Sequence, residues 1–545
     1  MNRRKLIEPL FLRLVSTRSD TNTLYEGVIG ETILSWIKSR EYFKSYPEHA
    51  GAALLEDDTN SREVIWALVK GNNQNDETII LINHYDTVDS YEYGKIQHLA
   101  LRPDELKNEL SKRNFGKNIR LDLESKDWIF GRGTADMKAG VAIHLSLIEE
   151  FSKENFNGNI LFLSVPDEET LSRGMLSAVK LIHDLKEKYR LKYILTINSE
   201  PYYNMMKNKA IIYEGSVGKI MPVVYVKGVK SHVGDPYNGI NPSLILANIQ
   251  MLTELNVNLS DKVEFDATPP PIWVNLKDRK KAYDASIPEA ATGYFNWLTF
   301  TKTPTEILEK MITISEKALE VTLNHFSKSY SEFCKLTNDV EEEMRFIPNT
   351  FTFEDIFKEA IVKGGTSFIN SYEDFQKDIK ELVDKNEITL PEGTIRLLEY
   401  TADYIDLEGP SVVVAISGPY YPHISNFLIK NGDRFTLSNR VNKISKELYN
   451  VEYEKNLYFM GMSDLSYAGW LGNQEDIDVI TANSPGWGNL YSVPFDEMRT
   501  LDMPVVNIGP WGKDLHKITE RVYGPDVYER VPEIISRLIK ELLDS

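Results

Sequence analysis

Residues 78–83 read Thr-Ile-Ile-Leu-Ile-Asn, an unbroken apolar run of strand length. Such a run belongs to a strand buried on both faces, and that requires helices above and below it. The surroundings agree. Residues 27–38 carry a helical pattern and 63–69 a strand pattern, helix 141–151 leads to strand 159–165, and helix 175–188 leads to strand 193–198. The alternation predicts an α/β fold: a mixed, mostly parallel sheet sandwiched by helices. Ligands of such sheets gather at the carboxyl ends of strands, so the residues just past these strands are where chemistry is expected.

The pattern changes near Gly215. A strand at 219–226, a helix at 241–255 and a strand at 290–300 are followed by helices at 305–326, 353–362, 372–386 and 393–404, then a strand at 412–416. A chain of 545 residues exceeds one ordinary core. We therefore divide it into a catalytic domain in two parts, 1–213 and 422–545, around an inserted α+β lid domain, 214–421, enlarged by extra helices. The second catalytic part resumes the alternation with helix 439–449, short strand 457–459, strand 504–508 and helix 531–543. Residues 85–127 show little periodicity and read as a long loop with a task such as covering a pocket.

A net charge of −19 argues against nucleic acid or an anionic membrane as partner. No apolar run reaches membrane-spanning length, and the basic start of the chain is not followed by a signal-peptide core. The single cysteine, Cys334, forms no intramolecular disulfide, so a cytoplasmic location is expected and any metal must be held by His, Asp and Glu.

Five places carry candidate chemistry. Residues 131–140, Gly-Arg-Gly-Thr-Ala-Asp-Met-Lys-Ala-Gly, form a glycine-rich turn between a strand and a helix. Asp136 there is either a helix cap or a carboxylate bridging two metal ions. His84 and Asp86 follow the buried strand; the histidine could bind metal while Asp86 fixes its tautomer, or the pair could simply close a loop. Glu168 and Glu169 follow the strand 159–165 and are either surface acids or a general base beside a metal ligand. Glu200 follows the strand 193–198, and His516 follows the turn-rich run Gly509-Pro510-Trp511-Gly512. Counted together, two imidazoles and three carboxylates give each of two ions one His and one Glu, with Asp136 shared. That inventory suits zinc, with manganese or cobalt as alternatives. Two ions so held would activate a water and polarise a carbonyl, with Glu168 taking the proton and passing it to the leaving nitrogen.

These motifs, in this order, resemble the dizinc aminoacylase/carboxypeptidase family of metallopeptidases. The resemblance implies a phosphorylase/hydrolase-like catalytic domain of the zinc-peptidase type. It makes His84, Asp136, Glu169, Glu200 and His516 the metal ligands, Glu168 the base and Asp86 the residue that orients His84. Met462-Ser463-Asp464 resembles the family turn whose Asp, here Asp464, supports the site from beneath. Ser231-His232-Val233-Gly234, with Asn238, Asn241 and Pro242, resembles the lid motif whose histidine, here His232, stabilises the oxyanion, often across a dimer. Substrate contacts are expected at Asn241, Gly509 and Trp511.

Two features depart from the family pattern. The lid stretch Tyr294-Phe295-Asn296-Trp297-Leu298-Thr299 has Leu298 where a carboxylate-gripping arginine is expected, and a leucine cannot replace that clamp. The lid is also unusually long. These departures, with residues 461–467 and 507–517, resemble one branch of the family associated with arginine utilisation. The expectation is a hydrolase cleaving an amide in a small peptide or an N-acyl amino acid, in the degradation of arginine or another amino acid. A homodimer through the lid is one expected arrangement, and a monomer follows if the added helices cover that edge. The alternative is a non-catalytic, metal- or ligand-binding regulatory protein that retains the fold.

Overall fold

The computed structural model describes residues 3–56, 58–71, 75–203, 209–342, 346–501 and 503–544. They form two units: Met1–Val217 with Pro422–Leu471 and Pro494–Ser545, and Gly218–Tyr421 with Gly472–Val493. The assignment of 472–493 is not visible in the sequence. Helix Gln474–Asn483 packs its apolar residues Ile477 and Ile480 inward. It is tied at its start by Thr305 Oγ1 donating to Asp476 (3.0 Å) and at its end by Glu354 N–H donating to Asn483 (3.1 Å).

The first unit is built on an eight-stranded sheet. Its spatial order is Ala50–Leu54, Glu63–Lys70, Asn159–Val165, Glu77–His84, Lys192–Asn198, Val505–Asn507, Ala210–Tyr213 and Tyr453–Asn456. The four strands from Asn159–Val165 to Val505–Asn507 run parallel, and the other pairings include antiparallel ones, so the sheet is mixed and mostly parallel as expected. The apolar run at 78–83 sits near its middle with every residue buried. Helix Ala139–Phe151 is buried along its whole length, which explains why its sequence is apolar all round rather than on one stripe. Helices Arg3–Ser16 and Val531–Leu543 pack beside it, and these three, with the sheet, make the core.

Two local expectations need correction. Residues 457–459 are not a strand; the edge strand is Tyr453–Asn456, just before them. Residues 85–127 are not a long loop either. They fold into a kinked 3-10 run, Tyr91–Leu99, and two short helices, Pro103–Leu110 and Lys117–Glu124. Each is too short to display several turns of apolar period, yet together they bury Tyr93, Ile96, Leu106, Leu110 and Leu123 against Trp128 and Phe130.

The second unit has a five-stranded sheet ordered Ile272–Asp278, Ala290–Thr299, Gly218–Lys227, Ser411–Tyr421 and Asn349–Thr352. Only the last pairing is parallel. Helices Pro242–Thr253, Pro304–Thr337, Phe353–Asp384 and Leu390–Tyr404 complete it, so the unit is α+β and rich in helix. The two helices expected at 353–362 and 372–386 form one element bent at Gly365, whose φ of 54° is open to glycine at little cost.

Candidate metal centre

His84 is the last residue of its strand, and the other four predicted ligands reach it from separate elements. A small antiparallel sheet brings His516 into place. Strand Trp128–Phe130, which leads into the 131–140 turn, pairs with Arg521–Tyr523, which pairs in turn with Gly512–Lys513. His516 stands on the hairpin between those last two strands, with a φ of 61°. Residues almost four hundred positions apart therefore meet through backbone pairing.

Asp136 lies between two His–Glu pairs. Its Oδ1 is 3.1 Å from His84 Nε2, which is 3.3 Å from Glu200 Oε1. Its Oδ2 is 3.1 Å from His516 Nε2, which is 3.1 Å from Glu169 Oε2. These are two triads, His84–Asp136–Glu200 and Asp136–Glu169–His516, each with its ligand atoms within 4.8 Å of one another. Ligands at 2.0–2.1 Å from a tetrahedral zinc stand about 3.3 Å apart, so the spacing fits one ion in each triad. The chemistry of the set, imidazole and carboxylate without thiolate, fits zinc, manganese or cobalt alike.

The electrostatics of the cluster favour a bound cation. Burial, followed by the charges of Asp464, Glu200 and Glu169, pushes the Glu168 carboxyl well above the usual range, against the pull of His84. Burial and the charge of Asp136 push Glu169 up to about 7, and the same two causes raise Glu200. His516 is pushed up to about 11 by hydrogen bonds to Asp136 and Glu169. Burial works against a charged His84, but Glu200 and Glu168 raise it well above its ordinary value. Asp136 is likewise buried, yet hydrogen bonds from His516 and His84 hold it below the usual carboxylate range. Protonated imidazoles place positive charge among these carboxylates, and a divalent cation in each triad would relieve the same repulsion more fully.

Asp86 has a wider task than fixing a tautomer. His84 Nδ1 lies 3.2 Å from the Asp86 backbone oxygen and 3.4 Å from its carboxylate. The two carboxylate oxygens accept the backbone N–H groups of Glu168 and Glu169, each at 3.1 Å. One buried side chain thus orients a histidine and pins the loop carrying the two glutamates. Glu168 Oε2 is 3.9 Å from His84 Nε2, at the edge of the same cluster. Asp464 is buried in a 3-10 turn, held by Ser463 and Ser466 hydroxyls on Ser216, and its charge acts on Glu168.

Glu520, Arg62 and Glu26, which hold the centre, escaped the sequence reading, whereas Arg132 and Lys138 lie in the recognised turn. Glu520 is fully buried, binds Arg132 at 2.6 Å and accepts the N–H groups of Ala135 (3.2 Å) and Asp136 (3.4 Å). Arg132 also pairs with Glu92, so it secures the turn rather than meeting solvent. Lys138 donates to the Thr17 carbonyl at 2.7 Å, and burial lowers it to about 7. Beneath Glu168 and Glu169, Arg62 Nη1 binds Asp167 (2.5 Å) and Glu26 (3.2 Å), while Nε and Nη2 bind Asp58. Asp167 lies beside a recognised motif, but nothing local marks Arg62, Glu26 or Glu520 as its companions.

The remaining expected residues are placed as follows. Trp511 and Met462 line a cavity of about 990 Å³ that also reaches Asp136, Glu168, Glu169, Glu200 and His516. Gly509 backs the Glu200 strand end so closely that a Cβ would stand 1.9 Å from the Glu200 carbonyl oxygen. His232 belongs to the second unit, exposed on a turn where Nδ1 accepts the Gly234 N–H at 3.0 Å. Asn241 caps helix Pro242–Thr253 by accepting the Ser243 N–H at 3.0 Å. Leu298 pairs in register with Lys219, whose ammonium lies 4.9 Å over the Tyr421 ring.

Comparison with known proteins agrees with this architecture. The profile of peptidase family M20/M25/M40 matches residues 80–541, a span that holds all five ligand candidates. The chain belongs to that family, and it is a metal-dependent hydrolase of the metallopeptidase and aminoacylase type. It is 31% identical over 543 residues to the uncharacterized protein YqjN of Bacillus subtilis strain 168, covering 98% of this chain and 96% of the relative. It is 29% identical over 555 residues to protein RocB of the same strain, covering 100% of this chain and 96% of RocB. Among solved structures, aminopeptidase PepT from Bacillus cereus ATCC 10987 shares the fold, with a TM-score of 0.53, 13% identity and 99% of each chain covered.

Proposed function

We propose that the protein hydrolyses an amide bond in a small peptide or an N-acyl amino acid, with Glu168 as general base. The expected setting, degradation of arginine or another amino acid, belongs to this proposal, as does zinc as the metal. The observation that carries it is the Asp136 carboxylate, shared between two His–Glu pairs with Glu168 alongside.

Two divalent ions held by the triads would supply Lewis acidity toward a carbonyl oxygen and acidity to a nearby water. The chain does the rest. Asp86 holds the Glu168 backbone so that its carboxylate faces the cluster. Glu168 receives a proton from the attacking water at a carboxylate oxygen and delivers it to the leaving nitrogen as the C–N bond breaks. Its raised proton affinity suits that double role. His232 is assigned to oxyanion stabilisation in the same proposal.

Glu168→Gln tests the reading. Turnover should fall by about 10²–10⁴-fold, while two metal ions per chain are retained by elemental analysis. Retained turnover with full metal content would refute Glu168 as the base.

A further inference from the structure

His144 lies midway along helix Ala139–Phe151 and is fully buried, yet both of its ring nitrogens have partners. Nδ1 lies 3.0 Å from Asn83 Nδ2, and Nε2 lies 2.8 Å from Ser199 Oγ. The protons along this chain can be assigned. The Ser199 hydroxyl donates to the Ile508 carbonyl at 2.9 Å, so its oxygen accepts from His144 Nε2–H. Nδ1 then carries the lone pair that accepts from Asn83 Nδ2, and Asn83 Oδ1 accepts the Ser164 hydroxyl at 2.6 Å. Burial holds the imidazole down at about 3, so at pH 7 it stays neutral. Four hydrogen bonds in a row thus run from Ser164 to Ile508.

The segments they join carry metal ligands. Ser164, Asn83, Ser199 and Ile508 stand at or just past the carboxyl ends of the four parallel strands, Asn159–Val165, Glu77–His84, Lys192–Asn198 and Val505–Asn507. Asn83 immediately precedes His84, and Ser199 immediately precedes Glu200. His84 and Glu200 belong to one triad, completed by Asp136. The helix is pressed against this end of the sheet: a Cβ on Gly140, one turn before His144, would stand 2.7 Å from the Ser199 carbonyl oxygen. The other triad is held by different means, Glu169 through the Asp86 carboxylate and His516 through its hairpin.

We infer that His144 is a positioning residue for one of the two ions: its ring fixes the separation of the strand ends that carry His84 and Glu200, and so shapes the His84–Asp136–Glu200 site but not the Asp136–Glu169–His516 site. The inference rests on each triad holding a divalent ion and goes beyond the hydrolase reading, since nothing in it depends on the bond cleaved. Removing the ring leaves buried polar groups on both ligand-bearing segments unpaired, and those segments then shift to find new partners.

Calorimetric titration of the metal-free, full-length protein with zinc tests it without turnover. In His144→Met, which fills similar space but ends both hydrogen bonds, one ion should bind about 10–100-fold more weakly and the other as before. His144→Gln, which has an acceptor and a donor of its own, should bring the weakened ion back toward wild-type affinity. Leu147→Ala, on the same helix and fully buried, should lower the urea midpoint and leave both affinities as they are. In His516→Ala, which keeps only the His84–Asp136–Glu200 triad whole, adding His144→Met should weaken the remaining ion by the same factor. Should His144→Met fail to fold, Ser199→Ala cuts the same link and must weaken one ion selectively. Unchanged affinities in whichever of these two folds, equal weakening of both ions, or the same loss in Leu147→Ala would each overturn the inference. Failure of the hydrolase reading would show separately, as turnover unaffected by Glu168→Gln.

Discussion

Replacing Arg62 should damage the protein far more than an arginine distant from the metals would suggest. Its guanidinium is 1% exposed and faces Glu26, Asp58 and Asp167, whose side chains are at most 2% exposed. Burial, the charge of Asp86 and that of Asp167 push Glu26 up to about 9, so it is protonated at pH 7. Arg62 then balances two buried carboxylates, Asp58 and Asp167. Arg62→Met fills similar space but strands both charges, and breaking a buried pair this way costs about 3–5 kcal/mol. The midpoint of urea unfolding of the zinc-loaded protein should fall accordingly. Arg62→Lys should recover only part, because an ammonium cannot reproduce the fork that reaches three acids. Adding Asp167→Asn to Arg62→Met should restore part of the lost stability, since one of the two stranded charges is then gone. A loss below about 1 kcal/mol, or strictly additive effects of the two substitutions, would refute this account of the site's foundation.

Two further outcomes follow from the centre itself. The proton affinities of both imidazoles are raised, His84 well above its ordinary value and His516 up to about 11, and Glu169 is pushed up to about 7. Metal needs all three deprotonated, so loading should release roughly two or more protons per chain, and affinity should rise with pH toward 11, where His516 loses its proton unaided; a proton-neutral uptake in buffer-dependent calorimetry would contradict this. Gly509→Ala should force its methyl against the Glu200 carbonyl, at a cost of about 1–3 kcal/mol. The displaced Glu200 weakens the triad with His84, so bound metal should drop from two toward one per chain, and unchanged metal content would show that the strand end accommodates the methyl.

Much of the centre could be read along the chain because each ligand ends a local pattern. The apolar run at 78–83 announced a buried strand, and a strand in a parallel sheet delivers the residue at its end to a shared edge. The same logic located Glu168, Glu169 and Glu200. The 131–140 turn carried its own glycines and acid. What failed was periodicity over short elements: the helices Pro103–Leu110 and Lys117–Glu124 are two turns each, too brief to show an apolar stripe, so their segment read as loop. Helix Gln474–Asn483 shows no clear pattern along the chain, and it packs with the second unit although it lies within residues 422–545.

The sequence by itself determined the sheet and named, in order, the His and acidic residues that meet at its strand ends, because those depend on residue type and on spacing within one element. It could not supply the partners that hold them. Glu520 under Asp136 and Arg62 under Glu168 and Glu169 lie more than a hundred positions away from what they secure. A buried charge is stable only beside its counter-charge, and which two segments meet is decided by the packing of the whole unit. Tertiary structure alone therefore shows which buried acids are already paired, and with what.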